Sequence, residues 1–181
     1  MKALLIIDMQ IGSFIPYSSR YNTYNVIKNI NLLASAFRSN GDLIIFIQHD
    51  GTRKNCFLPN SNEWQLLPEL EQSNSDLYLN KTANDSFYQT NLQEILAENH
   101  INDVVITGCA TDFCVDSTVK SALTKDYNVT VVGDAHTTAN RPHADALTLI
   151  KHYNWLWSET TPTKHKIEVM NTEKLIPISG Q

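Results

Sequence analysis

Three side chains of this sequence belong to the types that a covalent hydrolysis needs: the thiol of Cys114, the carboxylate of Asp8 and the ammonium of Lys81. Cys114 closes the stretch Val104-Val105-Ile106-Thr107-Gly108-Cys109-Ala110-Thr111-Asp112-Phe113-Cys114, an apolar β-branched run that breaks at Gly108. From about Cys114, Val115, Val119, Ala122 and Leu123 recur at helical spacing, so the stretch reads as a strand, a tight loop and a helix. A cysteine in the first turn of such a helix faces unpaired backbone N–H groups and the positive end of the helix dipole, and both favour thiolate over thiol. A lone cysteine in a segment of this kind is as readily a small core hydrophobe, so its neighbours have to decide.

Those neighbours depend on the elements that carry them. Residues 2 to 7 are a continuous apolar run ended by Asp8, the pattern of a strand buried on both faces. Val26, Ile30, Leu33 and Phe37 mark one face of a helix over 22 to 39, stopped by Asn40-Gly41. A second apolar strand covers Leu43 to Gln48. A long polar stretch follows, from His49 to about Ser75, with one short helical candidate from Glu63 to Leu70; loops of that length in compact domains are usually functional or mobile. A strand over 76 to 80 delivers Lys81. Helices are expected at 89 to 99, 114 to 125 and 140 to 153, the last with Pro142 in its first turn, and strands at 103 to 107 and 129 to 132. A final strand lies in Trp155 to Ser158 or in Ile167 to Met170.

Strands that alternate with helices predict an α/β fold, a three-layer α/β/α arrangement on a doubly wound parallel sheet. In such sheets ligands bind beyond the carboxyl ends of the strands where strand order reverses, which for the order 3-2-1-4-5-6 lies between strands 1 and 4. That topology brings Asp8 to the loop of Cys114 across more than a hundred residues of chain.

The 181 residues fit one domain spanning 1–181, and 42% hydrophobic with 18% charged residues is an ordinary globular composition. A net charge of -5 with scattered lysines and arginines gives no footprint for nucleic acid or an anionic membrane. The apolar run before Asp8 is too short for a signal peptide or a membrane span. Three cysteines, Cys56, Cys109 and Cys114, are an odd number without a secretion signal, so the expected location is the reducing cytoplasm. None of them forms a Cys-x-x-Cys pair.

At one crevice, Asp8 would take the Cys114 proton and later return one to the leaving group, while Lys81 stabilises the charges electrostatically. Attack on a carbonyl creates a tetrahedral oxyanion, for which backbone N–H groups near the start of the Cys114 helix are the natural donors. No metal and no cofactor is needed.

Ile7-Asp8-Met9-Gln10 after the first strand, a lysine after the third, and Gly108-Cys109-Ala110-Thr111-Asp112-Phe113-Cys114-Val115-Asp116-Ser117-Thr118 together resemble the isochorismatase-like cysteine hydrolase superfamily. The resemblance runs from Leu4 to about Thr138. It implies a six-stranded parallel sheet of Rossmann-like order, a catalytic triad of Asp8, Lys81 and Cys114, and a non-proline cis peptide at Cys109–Ala110 that would aim the Ala110 N–H, with that of Cys114, into an oxyanion hole. It also implies a homodimer or larger homo-oligomer.

Departures from the pattern narrow the expectation. Metal-dependent nicotinamidases of the superfamily carry Asp-x-His after the second strand, where this chain reads Gln48-His49-Asp50-Gly51 with no second histidine before His100, so no bound metal is expected. Relatives that cleave a vinyl ether can lack the cysteine, and its presence here favours C–N hydrolysis. Candidate substrate contacts are Gln10, Phe14, His49, Trp64 and Phe87; Asp112 would brace the nucleophile loop or cap the helix. The resulting expectation is a metal-independent cysteine hydrolase acting on an amide or ureido bond of a small molecule through a thioester. The alternatives are an isochorismatase-type ether hydrolase using Asp8 as acid, and a non-catalytic binding or assembly homologue on the same fold.

Overall fold

A computed structural model describes residues 1–15 and 19–176. The apolar runs become six strands, β1 (Lys2–Ile7), β2 (Leu43–His49), β3 (Leu77–Lys81), β4 (Asp103–Cys109), β5 (Asn128–Thr137) and β6 (Ile167–Met170). All pair in parallel in the order β3-β2-β1-β4-β5-β6, the reversal falling between β1 and β4 as expected. Because β1 is central, its side chains from Ala3 to Ile7 are wholly shielded, alternately on the two faces. One face packs on α1 (Thr23–Ser39) through Ile30, Leu33 and Phe37 and on α5 (Thr172–Leu175) through Leu175. The other is covered by Leu92 and Leu96 of α2 (Leu92–Glu98), Val119 and Leu123 of α3 (Asp116–Thr124) and Trp157 of α4 (Ala146–Ser158). The three-layer expectation therefore holds.

Two local expectations do not. Residues 63 to 70 form turns instead of a helix, because Leu66, Leu67 and Leu70 are drawn down into the α1 face and Leu66 bridges to Gln10. The helix expected from 140 begins at Ala146: Arg141 and Ala144 bridge each other across Pro142, and Asn140 and Asp145 accept from the N–H groups of Ala146 and Thr148. That helix continues through Trp155–Ser158, which leaves Ile167–Met170 as the last strand.

Gly108 lets the two central strands close at their carboxyl ends. It pairs with Ile7 at φ 116°, and a Cβ there would collide with the Ile7 carbonyl. On its other side the register breaks, Ile106 pairing with Val131 but Gly108 with His136, so that β5 bulges beside the loop that carries Cys114.

Candidate active site

Asp8 leaves β1 in a left-handed conformation, φ 50°, with its N–H bonded to the Ile47 carbonyl at 2.8 Å. Lys81 ends β3, and its side chain is fully buried. Its Nζ donates to Asp8 Oδ2 at 2.8 Å and to the Ala83 carbonyl at 3.0 Å. Asp8 Oδ1 is buried and has no hydrogen-bond partner among the described residues. Burial works against the Lys81 ammonium, but Asp8 and then Cys114 outweigh it and hold its pKa above the ordinary value.

Cys114 is buried in a π-helical turn, Thr111–Val115, that precedes α3, and its Sγ lies 3.7 Å from Asn84 Oδ1. Burial, and after it the Asp8 carboxylate, push the Cys114 thiol up, while Lys81 pulls it down by less. These influences run against the thiolate expected of a helix start: Cys114 lies in the turn that leads into α3, buried beside an anion, and its pKa is held above the ordinary thiol value.

The turn is tied to the end of β5 by its side chains. Asp112 accepts from Arg141 Nε at 2.7 Å and Nη2 at 3.0 Å, and from Thr138 Oγ1. Burial opposes the charge on Asp112, but the bonds from Arg141 and Thr138 outweigh it and lower its pKa. Of its two expected roles, Asp112 therefore braces the loop, and no side chain caps α3. The Arg141 guanidinium also lies over the exposed Phe113 ring, 4.7 Å from its centroid. The Cys109–Ala110 peptide bond is cis.

The expected substrate contacts divide. Gln10 is wholly buried, and its amide is used by the chain itself: Nε2 donates to the His49 and Trp64 carbonyls, and Oε1 accepts from the His49 N–H. Phe14 is enclosed in the α1 core, and Phe87 packs in the opposite core stacked on Tyr127. These three face other side chains and backbone; their apolar or amide groups suit an interior as well as a ligand. His49 and Trp64 are half-buried, and His49 Nδ1 and Trp64 Nε1 are buried atoms with no partner among the described residues. His49 pairs in register with Lys81, and burial together with that ammonium lowers its pKa.

The Cys109 thiol is fully buried as well, and burial, the largest cause, pushes it up to about 11. Among the described residues no three His, Cys, Asp or Glu side chains gather to hold a metal, and no helix is long and apolar enough to cross a membrane. Ala83, Asn84 and Arg141 went unrecognised in the sequence. Ala83 and Asn84 had a usable signal in their position two and three residues after Lys81; Arg141 is joined to Asp112 only by folding.

The pattern of the Isochorismatase domain matches residues 2–161. Streptothricin hydrolase of Streptomyces noursei is 26% identical over 147 residues, 81% of this chain but 58% of that protein, so the chain spans little more than half the length of this relative. Ureidoacrylate amidohydrolase RutB of Pseudomonas savastanoi pv. phaseolicola is 26% identical over 169 residues, covering 74% of this chain and 69% of that protein. A crystal structure of an isochorismatase family protein superimposes with a TM-score of 0.86 at 29% identity, covering 94% of this chain and 98% of that one. Because the family pattern runs from β1 through α4 and does not rest on one motif, the chain belongs to the isochorismatase family and is a hydrolase.

Proposed function

We propose that this hydrolase cleaves a C–N bond, amide or ureido, of a small molecule, with Cys114 as nucleophile, Asp8 as proton carrier and Lys81 as their electrostatic partner. The observation that carries the reading is the divided carboxylate of Asp8: Oδ2 is held by Lys81, while Oδ1 is buried with no partner beside a thiol that is still protonated. An unpartnered buried carboxylate oxygen is costly, and accepting a proton relieves it.

In the proposed cycle the Cys114 Sγ–H proton passes to Asp8 Oδ1 as sulfur attacks the carbonyl carbon. The carbonyl oxygen takes the electron pair, and the N–H groups of Ala110 and Cys114 receive the oxyanion. Collapse breaks the C–N bond, the departing nitrogen taking the proton from Asp8 and leaving a thioester. Water, losing a proton to Asp8, attacks the thioester; sulfur leaves, regains that proton, and the acid is released. Lys81 remains charged throughout and keeps Asp8 oriented.

The relative named as an amidohydrolase supports the bond class. His49 is the proposed substrate contact, with Trp64 beside it through their shared bonds to Gln10. The working form is proposed to be a homo-oligomer in the cytoplasm.

The test is ammonia release from a panel of primary amides, ureido compounds and nicotinamide, wild type beside Cys114→Ala. Loss of release in the variant, with an acyl adduct on Cys114 in the wild-type mass spectrum, supports the reading. No ammonia release from any compound, with cleavage of a vinyl ether that survives Cys114→Ala but not Asp8→Ala, would transfer the chemistry to an acid-catalysed ether cleavage.

A further inference from the structure

The turn that carries Cys114 closes on the Ala110 carbonyl, which accepts from Phe113 N–H at 3.0 Å and, across the wide span of a π turn, from Val115 N–H at 3.2 Å. Such turns are rare and frequently sit at functional sites, and here side chains tie the turn to its neighbours. One of those side chains is Thr111, which is wholly buried three residues before Cys114.

Thr111 Oγ1 lies 2.8 Å from His136 Nδ1, and His136 Nε2 lies 2.8 Å from Asn154 Oδ1. Asn154 Nδ2 donates to the Gly133 carbonyl at 3.0 Å, which fixes that amide with its oxygen toward the imidazole. An oxygen there requires a hydrogen on Nε2. A neutral imidazole then has a bare Nδ1, and the only hydrogen left to close the contact is that of the Thr111 hydroxyl. Every donor in the chain thus points one way, from Thr111 through His136 and Asn154 to Gly133, the arrangement in which successive bonds strengthen one another.

The groups around the ring leave it neutral. Its face is closed by Trp157, edge-on at 5.2 Å, whose indole N–H goes to Asp116, itself paired with Lys120. Asp134 is the charged group that favours protonation, and burial outweighs it, lowering the ring's pKa to about 4. His136 is 1% exposed and takes no part in the proposed proton transfers.

We infer that His136 is a positioning residue: locked as the Nε2–H tautomer, it captures the Thr111 hydroxyl and fixes the turn on which Cys114 and the N–H of Ala110 are aligned. The inference rests on the reading of Cys114 as nucleophile. It assigns a task to a histidine that touches neither substrate nor the reacting atoms.

Two measurements judge it. The first is independent of turnover: long-range proton–nitrogen correlation of the 15N-labelled protein near pH 7. The expected pattern for His136 is a protonated Nε2 and a bare Nδ1; a protonated Nδ1 or a charged ring overturns the inference. The second compares His136→Leu, which removes the acceptor, Thr111→Val, which removes the donor, and His136→Asn, which restores an acceptor near the place of Nδ1. Melting temperature, ammonia release and the rate of Cys114 alkylation by iodoacetamide are recorded for each.

Both His136→Leu and Thr111→Val are expected to lower kcat and the alkylation rate about tenfold or more, as misplacement of a reacting group does, with KM nearly unchanged. The double variant falls no further, and His136→Asn recovers most of the loss. If Thr111→Val leaves kcat and alkylation intact, or His136→Asn is as impaired as His136→Leu with both following melting temperature alone, the role is structural only and the inference fails. Should the wild type release ammonia from no compound, the C–N reading falls, and the tautomer and alkylation results still decide on His136.

Discussion

Lys81 Nζ stands 2.8 Å from Asp8 Oδ2, and the ammonium is spent on that oxygen and one carbonyl, leaving Oδ1 of the same carboxylate buried with no hydrogen-bond partner among the described residues. The two charges act on Cys114 in opposite directions: Asp8 raises its pKa and Lys81 lowers it. Replacing Asp8 by Asn removes the first and keeps the second. The pH of half-maximal iodoacetamide alkylation of Cys114 is therefore expected to fall by about 1 pH unit or more in Asp8→Asn. Ammonia release should be lost in the same protein for want of a proton carrier. Reactivity and catalysis moving in opposite directions would separate the base from the nucleophile; a rise in the alkylation pH would contradict this account of the thiol.

Gly108 and Gly41 provide a matched pair. Both have positive φ, 116° and 73°, but a Cβ at Gly108 meets the Ile7 carbonyl, whereas at Gly41 it meets open space. Gly41→Ala should cost about 1 kcal/mol in urea unfolding, the conformational term alone. Gly108→Ala should cost about 3 kcal/mol or more, because it also pushes β1 from β4, and should reduce activity in whatever protein still folds. Equal losses at the two positions would mean that the central strands part without consequence.

Arg141 holds Asp112 through two bonds and covers the Phe113 ring. Arg141→Lys is expected to behave nearly as Arg141→Ala, since an ammonium cannot reproduce the planar fork. Either change should lower stability by about 1 kcal/mol, the group being partly exposed, with kcat falling more than KM changes. Denaturant unfolding and steady-state kinetics on one substrate check both parts.

His136 also makes stability depend on pH. Its pKa is lowered from 6.5 to about 4 by burial, so below 6.5 the unfolded chain binds a proton that the folded chain refuses. The stabilisation is complete above 6.5 and is lost as pH falls toward 4, amounting to roughly 3 kcal/mol over that window. In His136→Asn the unfolding free energy measured between pH 7 and 4 should decline less steeply than in wild type. Parallel curves would locate the acid sensitivity elsewhere.

The sheet was legible because β1, β2 and β4 are buried on both faces, and their uninterrupted apolar runs end at Asp8, His49 and Gly108 with few competing interpretations. Asp8 and Lys81 were legible for the same reason, as polar residues at strand ends. Glu63 to Leu70 misled because closely spaced apolar residues are also what a covering loop needs to pin itself to a core, as Leu66, Leu67 and Leu70 do. Phe14, Phe87 and Gln10 were ambiguous by type, and only packing assigns them. The protonated state of Cys114 was out of reach, since it depends on burial and on a carboxylate 106 positions away in the sequence.

The strand order has a consequence for how the enzyme comes into being on the ribosome. Asp8, Lys81 and Cys114 are delivered by β1, β3 and the turn after β4, and that turn is braced by Thr138 and Arg141. A growing chain holds Asp8 and Lys81 long before Cys114, and Cys114 before the segment that braces its turn. Non-local pairings of this kind form slowly, and larger domains gain native packing stepwise. Hydrolytic competence is thus acquired in a single late event during synthesis, and no amino-terminal fragment ending before Arg141 should display it.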